Sequence, residues 1–190
     1  RLDISCGKIF NKIYELGLEK NTVVVFFSDN GGKRAYAKQT PLRAGKGWLY
    51  EGGIREPLIV KWKDEVEPGT ISASLVSSVD LLPTFLEIAG IEDLPEKIDG
   101  KSIVPALKNP EAEVHEKLCW HYPHYHGGSG MIPAGAIRRG KWKLIEWYEN
   151  SLLEGRGSAF ELYNLENDIG ETRNLADSLK DLTKELSGEL

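Results

Sequence analysis

Thr22-Val23-Val24-Val25-Phe26-Phe27-Ser28-Asp29-Asn30-Gly31-Gly32 decides how the chain is read. Residues 22–28 form a continuous β-branched and aromatic run of strand length. A run without polar alternation predicts a strand covered on both faces, as in a parallel sheet sandwiched by helices. Asp29-Asn30-Gly31-Gly32 ends it abruptly. Upstream, Cys6, Ile9, Phe10, Ile13 and Leu16 recur at helical spacing, and Gly17 follows as a stop. Downstream, residues 33–56 are rich in glycine and charge and have no clear period, which marks a functional loop. Leu58 to Trp62 reads as a second strand. Asp80 can cap a helix running to Ala89, with Gly90 as its stop. Helix, strand, long loop, strand and helix make an α/β pattern.

The style changes after residue 110. Lys117 to Tyr122, Gly135 to Arg139, Trp142 to Tyr148 and Phe160 to Asn164 are short strand candidates, and Arg139-Gly140-Lys141 is a tight turn between two of them. Leu175, Leu179, Leu182, Leu186 and Leu190 mark a terminal helix. The expected organisation is an α/β part over 1–110 and a small antiparallel α+β subdomain over 111–190. Leu94 to Pro110, with its scattered Pro and Gly, is the expected connector.

Composition narrows the function. The 190 residues carry 24 Lys+Arg and 29 Asp+Glu, a net charge of −5 that disfavours a general nucleic-acid binder. A hydrophobic content of 41% supports a packed core and is too high for a disordered chain. No apolar run approaches the ~18 residues of a membrane span. Two cysteines are too few for a disulfide scaffold and leave the redox compartment open. The chain begins with Arg1, its single methionine is Met131, and Leu190 lies inside a helical pattern. These ends lead to the expectation of a piece of a larger protein.

Three constellations could carry chemistry. Asp29 and Asn30 supply a carboxylate and an amide oxygen at a strand end, both hard ligands suited to Ca²⁺ or Mg²⁺. An ordinary Asx turn would look the same. Residues 31–63 hold eight basic and two acidic side chains, a local +6 that leaves −11 for the rest of the chain. Lys46 lies there between Gly45 and Gly47, where the backbone can approach a ligand closely. This island fits recognition of an anionic group, or a loop whose cations simply reach water. His121-Tyr122-Pro123-His124-Tyr125-His126 lacks metal-ligand spacing. It reads either as a polar aromatic loop able to contact a ligand or as a surface loop packed through its tyrosines. Cys6 on an apolar helix face reads as core, and nothing in the sequence activates Cys119.

Taken together, these segments resemble the C-terminal portion of an arylsulfatase-like sulfatase of the alkaline phosphatase superfamily. Phe27-Ser28-Asp29-Asn30-Gly31 resembles the family's late metal-binding strand end, and Leu42 to Pro57 its sulfate-binding loop. Val79-Asp80-Leu81-Leu82-Pro83-Thr84, Asp99-Gly100-Lys101-Ser102, Glu161-Leu162-Tyr163-Asn164-Leu165, Gly170-Glu171 and Asn174-Leu175-Ala176 follow in the family's order. His121 to Tyr125 resembles a loop of some bacterial carbohydrate sulfatases. The resemblance implies a partial alkaline-phosphatase-like sheet sandwiched by helices, followed by antiparallel strands and a terminal helix.

It also implies roles. Asp29 and Asn30 would be two ligands of Ca²⁺ or Mg²⁺, and Lys46 the catalytic contact to the sulfate oxygens and the bridging ester oxygen. Glu51 and Arg55 would support the loop, and His121 and His124 would touch substrate. The implied partner is a sulfated carbohydrate or other sulfate ester, and export to periplasm, lysosome or medium is the family habit. The formylglycine nucleophile, from Cys or Ser in C/S-x-P-S-R, has no match here: Cys6 precedes Gly7-Lys8-Ile9, and Cys119 precedes Trp120-His121-Tyr122. The nucleophile is therefore expected upstream, with the rest of the metal site, in a missing N-terminal part. The isolated chain is expected to be inactive and prone to self-association near residues 22–62. Ala44, Glu56 and Ile169 depart from the family pattern, standing where Gly, an apolar residue and Pro are usual. Two other readings remain: a phosphatase, phosphodiesterase or phosphotransferase of the same superfamily, and a non-catalytic carbohydrate-binding homologue.

Overall fold

A computed structural model describes residues 1–91, 97–153, 155 and 157–190. The first three residues of the expected connector, 94–96, lie outside them. The chain divides into two compact units, one of residues 1–27, 57–74 and 79–114, the other of residues 28–56, 75–78 and 115–190. The lysine-bearing loop thus belongs with the C-terminal strands.

In the first unit, α1 (Leu2–Glu15) is the helix expected from its spacing, yet none of its residues is buried and Ile9 and Phe10 are exposed. Cys6 is only half-buried, not the core residue its position suggested. Strands β1 (Val23–Phe27) and β2 (Leu58–Trp62) pair antiparallel, with Val25 opposite Val60. The expected parallel, doubly covered strand is thus half-buried and antiparallel among the described residues. In β2 the alternation puts Ile59 and Lys61 on an exposed side. Helix α3 (Leu81–Ile88) follows Asp80, and Gly90 ends it at φ +70°. The Asp80 side chain does not cap α3. It is fully buried and accepts from the Lys101 N–H at 2.8 Å, while Thr84 Oγ1 accepts from the Ile103 N–H at 3.0 Å. These bonds lead into α4 (Val104–Lys108), a short helix inside the segment read as connector.

The second unit opens with α2 (Glu51–Ile54) and is built on a four-stranded antiparallel sheet. Its strands are β3 (Lys117–Tyr122), β4 (Ala134–Arg139), β5 (Trp142–Trp147) and β6 (Phe160–Asn164), in that spatial order. Gly140, at φ +54°, makes the turn that joins β4 to β5. Short α5 (Tyr148–Leu152) follows β5 directly, and α6 (Lys180–Glu189) closes the chain. Ile137, Leu144 and Leu162 lie side by side across the sheet and pack with Leu186 of α6. On the other face Ala136 and Ile145 pack with Leu49, Tyr50, Trp147 and Tyr163, so the lysine loop covers that face. Burying each large apolar side chain contributes about 1.5–3 kcal/mol. Ile169, where proline is usual in the family, packs against this second cluster.

Candidate functional site

The period of two along β5 places Lys143, Ile145 and Trp147 on one face. That face is covered by the loop, so Lys143 is a fully buried lysine, a rare placement that demands partners. Cross-strand register sets Arg138 on one side of it and Tyr163 on the other. This polar row meets the loop. Lys143 Nζ donates to Glu51 Oε1 at 2.9 Å and lies 2.8 Å from Glu171 Oε1. Arg138 stands 3.8 Å from Glu51, and Arg55 donates to it at 3.2 Å. Glu171 Oε2 accepts from the Glu51 N–H at 2.7 Å.

The two carboxyls respond in opposite directions. Burial would raise Glu51, but Lys143, Arg138 and Arg55 outweigh it and hold the carboxyl below the usual range. Burial dominates at Glu171 and pushes its carboxyl up, against the pull of Lys143. At the front of the loop, Arg43 stacks on the Tyr50 ring, 3.8 Å from its centroid. It also donates to Tyr163 Oη and to the Glu171 carbonyl, both at 2.8 Å. Tyr50 and Tyr163 in turn donate to Glu161 at 2.7 and 2.6 Å. Burial, helped by that carboxylate, raises both phenols.

Within this frame the backbone zips the two sequence-read motifs together. The Gly31 N–H donates to the Gly53 carbonyl and the Lys46 N–H to the Gly32 carbonyl, both at 3.1 Å. A Cβ on Gly31 would overlap the Gly52 carbonyl, and one on Gly53 the Trp48 carbonyl, so these close approaches require glycine. Ala44 sits at φ +63°, the left-handed region that explains the usual glycine there. Lys46 is therefore tied through its main chain to Gly32, two residues after Asn30. Its side chain is exposed, and among the described residues its ammonium has no carboxylate within ion-pair distance.

Asp29 is exposed and accepts a hydrogen bond from the Asn30 amide nitrogen, which leaves the Asn30 amide oxygen as an acceptor. Two adjacent hard oxygen donors fit part of a Ca²⁺ or Mg²⁺ site, which takes about 6–8 oxygens. Among the described residues no group of three His, Cys, Asp or Glu could hold a metal ion. Burial pushes the Glu56 carboxyl up, the Ser28 hydroxyl draws it down, and the Asp29 charge pushes it up again.

The histidine segment divides. The ring nitrogen Nδ1 of His121 lies 2.7 Å from Tyr148 Oη, and His124 sits edge-on to Tyr122. Neither of these contacts reaches the lysine loop. His126 and Ser129 do reach it. His126 Nδ1 accepts from the Ser129 N–H at 3.0 Å, and the Ser129 hydroxyl donates to the Gly47 carbonyl at 3.1 Å, next to Lys46. Burial pushes the Cys119 thiol up, Lys117 draws it down and Glu189 pushes it up, so its thiolate is not favoured.

Comparison with known proteins now gives the class. Residues 44–190 match the family described as N-sulphoglucosamine sulphohydrolase, C-terminal. A sulfatase of Formosa agariphila is 37% identical over 195 residues, covering 92% of this chain and 34% of that protein. Arylsulfatase A of Homo sapiens is 32% identical, covering 97% of this chain and 39% of that protein. The solved structure of Ps i-CgsB in complex with k-i-k-neocarrahexaose matches with a TM-score of 0.78 at 32% identity, over 96% of this chain and 38% of that one. The fold is that of sulfatases, an alkaline-phosphatase-like α/β architecture. The chain belongs to the N-sulphoglucosamine sulphohydrolase C-terminal family and corresponds to the C-terminal portion of a sulfatase. It spans a third to two fifths of the length of these relatives. Among the described residues no helix is long and apolar enough to cross a membrane.

Proposed function

We propose that the protein carrying this chain hydrolyses sulfate esters, on a sulfated carbohydrate, and is exported. The observation that carries the reading is Lys46, whose exposed ammonium has no ion-pair partner among the described residues and whose main chain is bonded to Gly32, two residues after Asn30. Cleavage of a sulfate ester concentrates negative charge on the sulfate and on the departing oxygen. A preorganised cation there stabilises that charge more in the transition state than in the ground state. Lys46 would contact the sulfate oxygens and the bridging oxygen. Asp29 and Asn30 would hold Ca²⁺ or Mg²⁺ together with ligands from outside this chain. That ion, when bound, supplies further positive charge to the sulfate. The nucleophile is a formylglycine in an N-terminal part of the same protein. The carbohydrate reading draws on the oligosaccharide complex of Ps i-CgsB and on the exposed His121 and His124 as substrate contacts.

The purified chain alone is therefore expected to show no turnover of an aryl sulfate, while the full-length protein turns it over. Measurable turnover by the chain would place a nucleophile within residues 1–190 and overturn this division. Turnover of an aryl phosphate and not an aryl sulfate by the full-length protein would replace the sulfatase reading by a phosphatase one.

A further inference from the structure

Among the described residues the Lys46 ammonium forms no ion pair, so its placement is inherited from its loop. The ends of that loop share one partner. The Glu171 carbonyl accepts from Arg43, three residues before Lys46, and the Glu171 carboxylate accepts from the N–H of Glu51, five residues after it. The second carboxylate oxygen is tied to buried Lys143. Glu171 is fully buried and sits at φ +52°, a left-handed conformation that a side-chain-bearing residue keeps only when its surroundings over-determine it. We propose, building on the sulfate-ester reading, that Glu171 is a positioning residue for Lys46, gripping both ends of the 43–51 segment. It touches no substrate. Its effect passes through the loop, where a small misplacement of a charge-stabilising group is costly.

Two substitutions separate grip from charge in the full-length protein. Glu171→Asp keeps the charge that faces Lys143 but shortens the reach to the Glu51 N–H. Glu171→Gln keeps the reach, with an amide oxygen as acceptor, and loses the charge. Glu171→Asp is expected to lower kcat for an aryl sulfate about tenfold or more, and Glu171→Gln by less than that. Adding Glu171→Asp to Lys46→Ala is expected to cost nothing further, because residues acting as one unit are not additive. Hydrogen exchange in peptides spanning 43–53 should accelerate in Glu171→Asp while the β4–β5 hairpin stays protected. A full extra loss in the Lys46→Ala background, or a larger defect from Gln than from Asp, would overturn the proposal. If Lys46→Ala itself keeps wild-type turnover, the sulfate-ester reading fails separately, and exchange then decides the grip. Faster exchange confined to 43–53 supports it, and unchanged exchange overturns it.

Discussion

Replacing Lys46 by alanine in the full-length protein is expected to lower sulfate-ester turnover by about 10²–10³, the cost of losing one preorganised charge-stabilising donor. The loss should fall mainly on kcat, because the ammonium faces charge that develops during cleavage. Folding should be nearly untouched, within about 0.5 kcal/mol, since Lys46 is exposed and forms no ion pair among the described residues. That separation makes the measurement clean: a kcat loss with an unchanged denaturation midpoint assigns Lys46 to the chemistry. Lys46→Arg should recover only part, because a planar fork does not reproduce a compact point charge. Unaltered turnover in Lys46→Ala would remove the proposed sulfate contact.

Much of the frame that holds Lys46 was legible in the sequence, and the reasons are local. β3 and β6 have the limits that composition and turn residues set, and Gly140 marks the hairpin between β4 and β5. The glycines flanking Lys46 signalled a close backbone approach there, and the Lys46 N–H does meet the Gly32 carbonyl, whereas the approach of Gly31 to Gly53 was not read. What could not be read depends on partners far along the chain. The 22–28 run looked doubly covered, but burial is decided by what packs on each face, and β1 pairs antiparallel with β2. Helix α2 escaped notice because Glu51-Gly52-Gly53-Ile54 is too short and glycine-rich to show a period.

The surroundings of the candidate site were half legible for the same reason. Asp29, Asn30, Lys46, Glu51 and Arg55 all fall within residues 29–55, whereas the partners of that stretch, Lys143, Glu161 and Glu171, are far along the chain and meet it only in the fold. Lys143 did leave a trace: it sits two and four residues before Ile145 and Trp147, on the inward period of its strand. The general rule that lysine faces water argues against reading it so. His126 and Ser129, which approach Gly47, were masked by the nearby His121 and His124, since distance along a loop does not say which residue turns inward.

Lys143→Met should have the largest effect on stability. Removing one member of a buried ionic group costs about 3–5 kcal/mol, because the remaining charges lose their counter-ion while staying out of water. Here Glu51 and Glu171 would be left together, 1% and 0% exposed. Arg138 and Arg55 still face Glu51, so the uncompensated charge falls mainly on Glu171. The pH dependence follows from direction. In the wild type, Glu51 is held below its ordinary 4.5, so its contribution is present above that value and fades as pH falls through the lowered one. Glu171 is raised, so its contribution runs the other way: present below 4.5 and lost as pH rises through the raised value. Without Lys143 that second behaviour strengthens, and protonating Glu171 relieves the buried charge. The deficit of Lys143→Met relative to wild type, measured by guanidinium unfolding, should therefore grow from pH 4.5 to pH 8. Adding Glu171→Gln should return part of it at pH 8, where the glutamate is charged, and little at low pH. A deficit below about 1 kcal/mol, or one that does not change with pH, would mean that the ionic group does not hold the loop to the sheet.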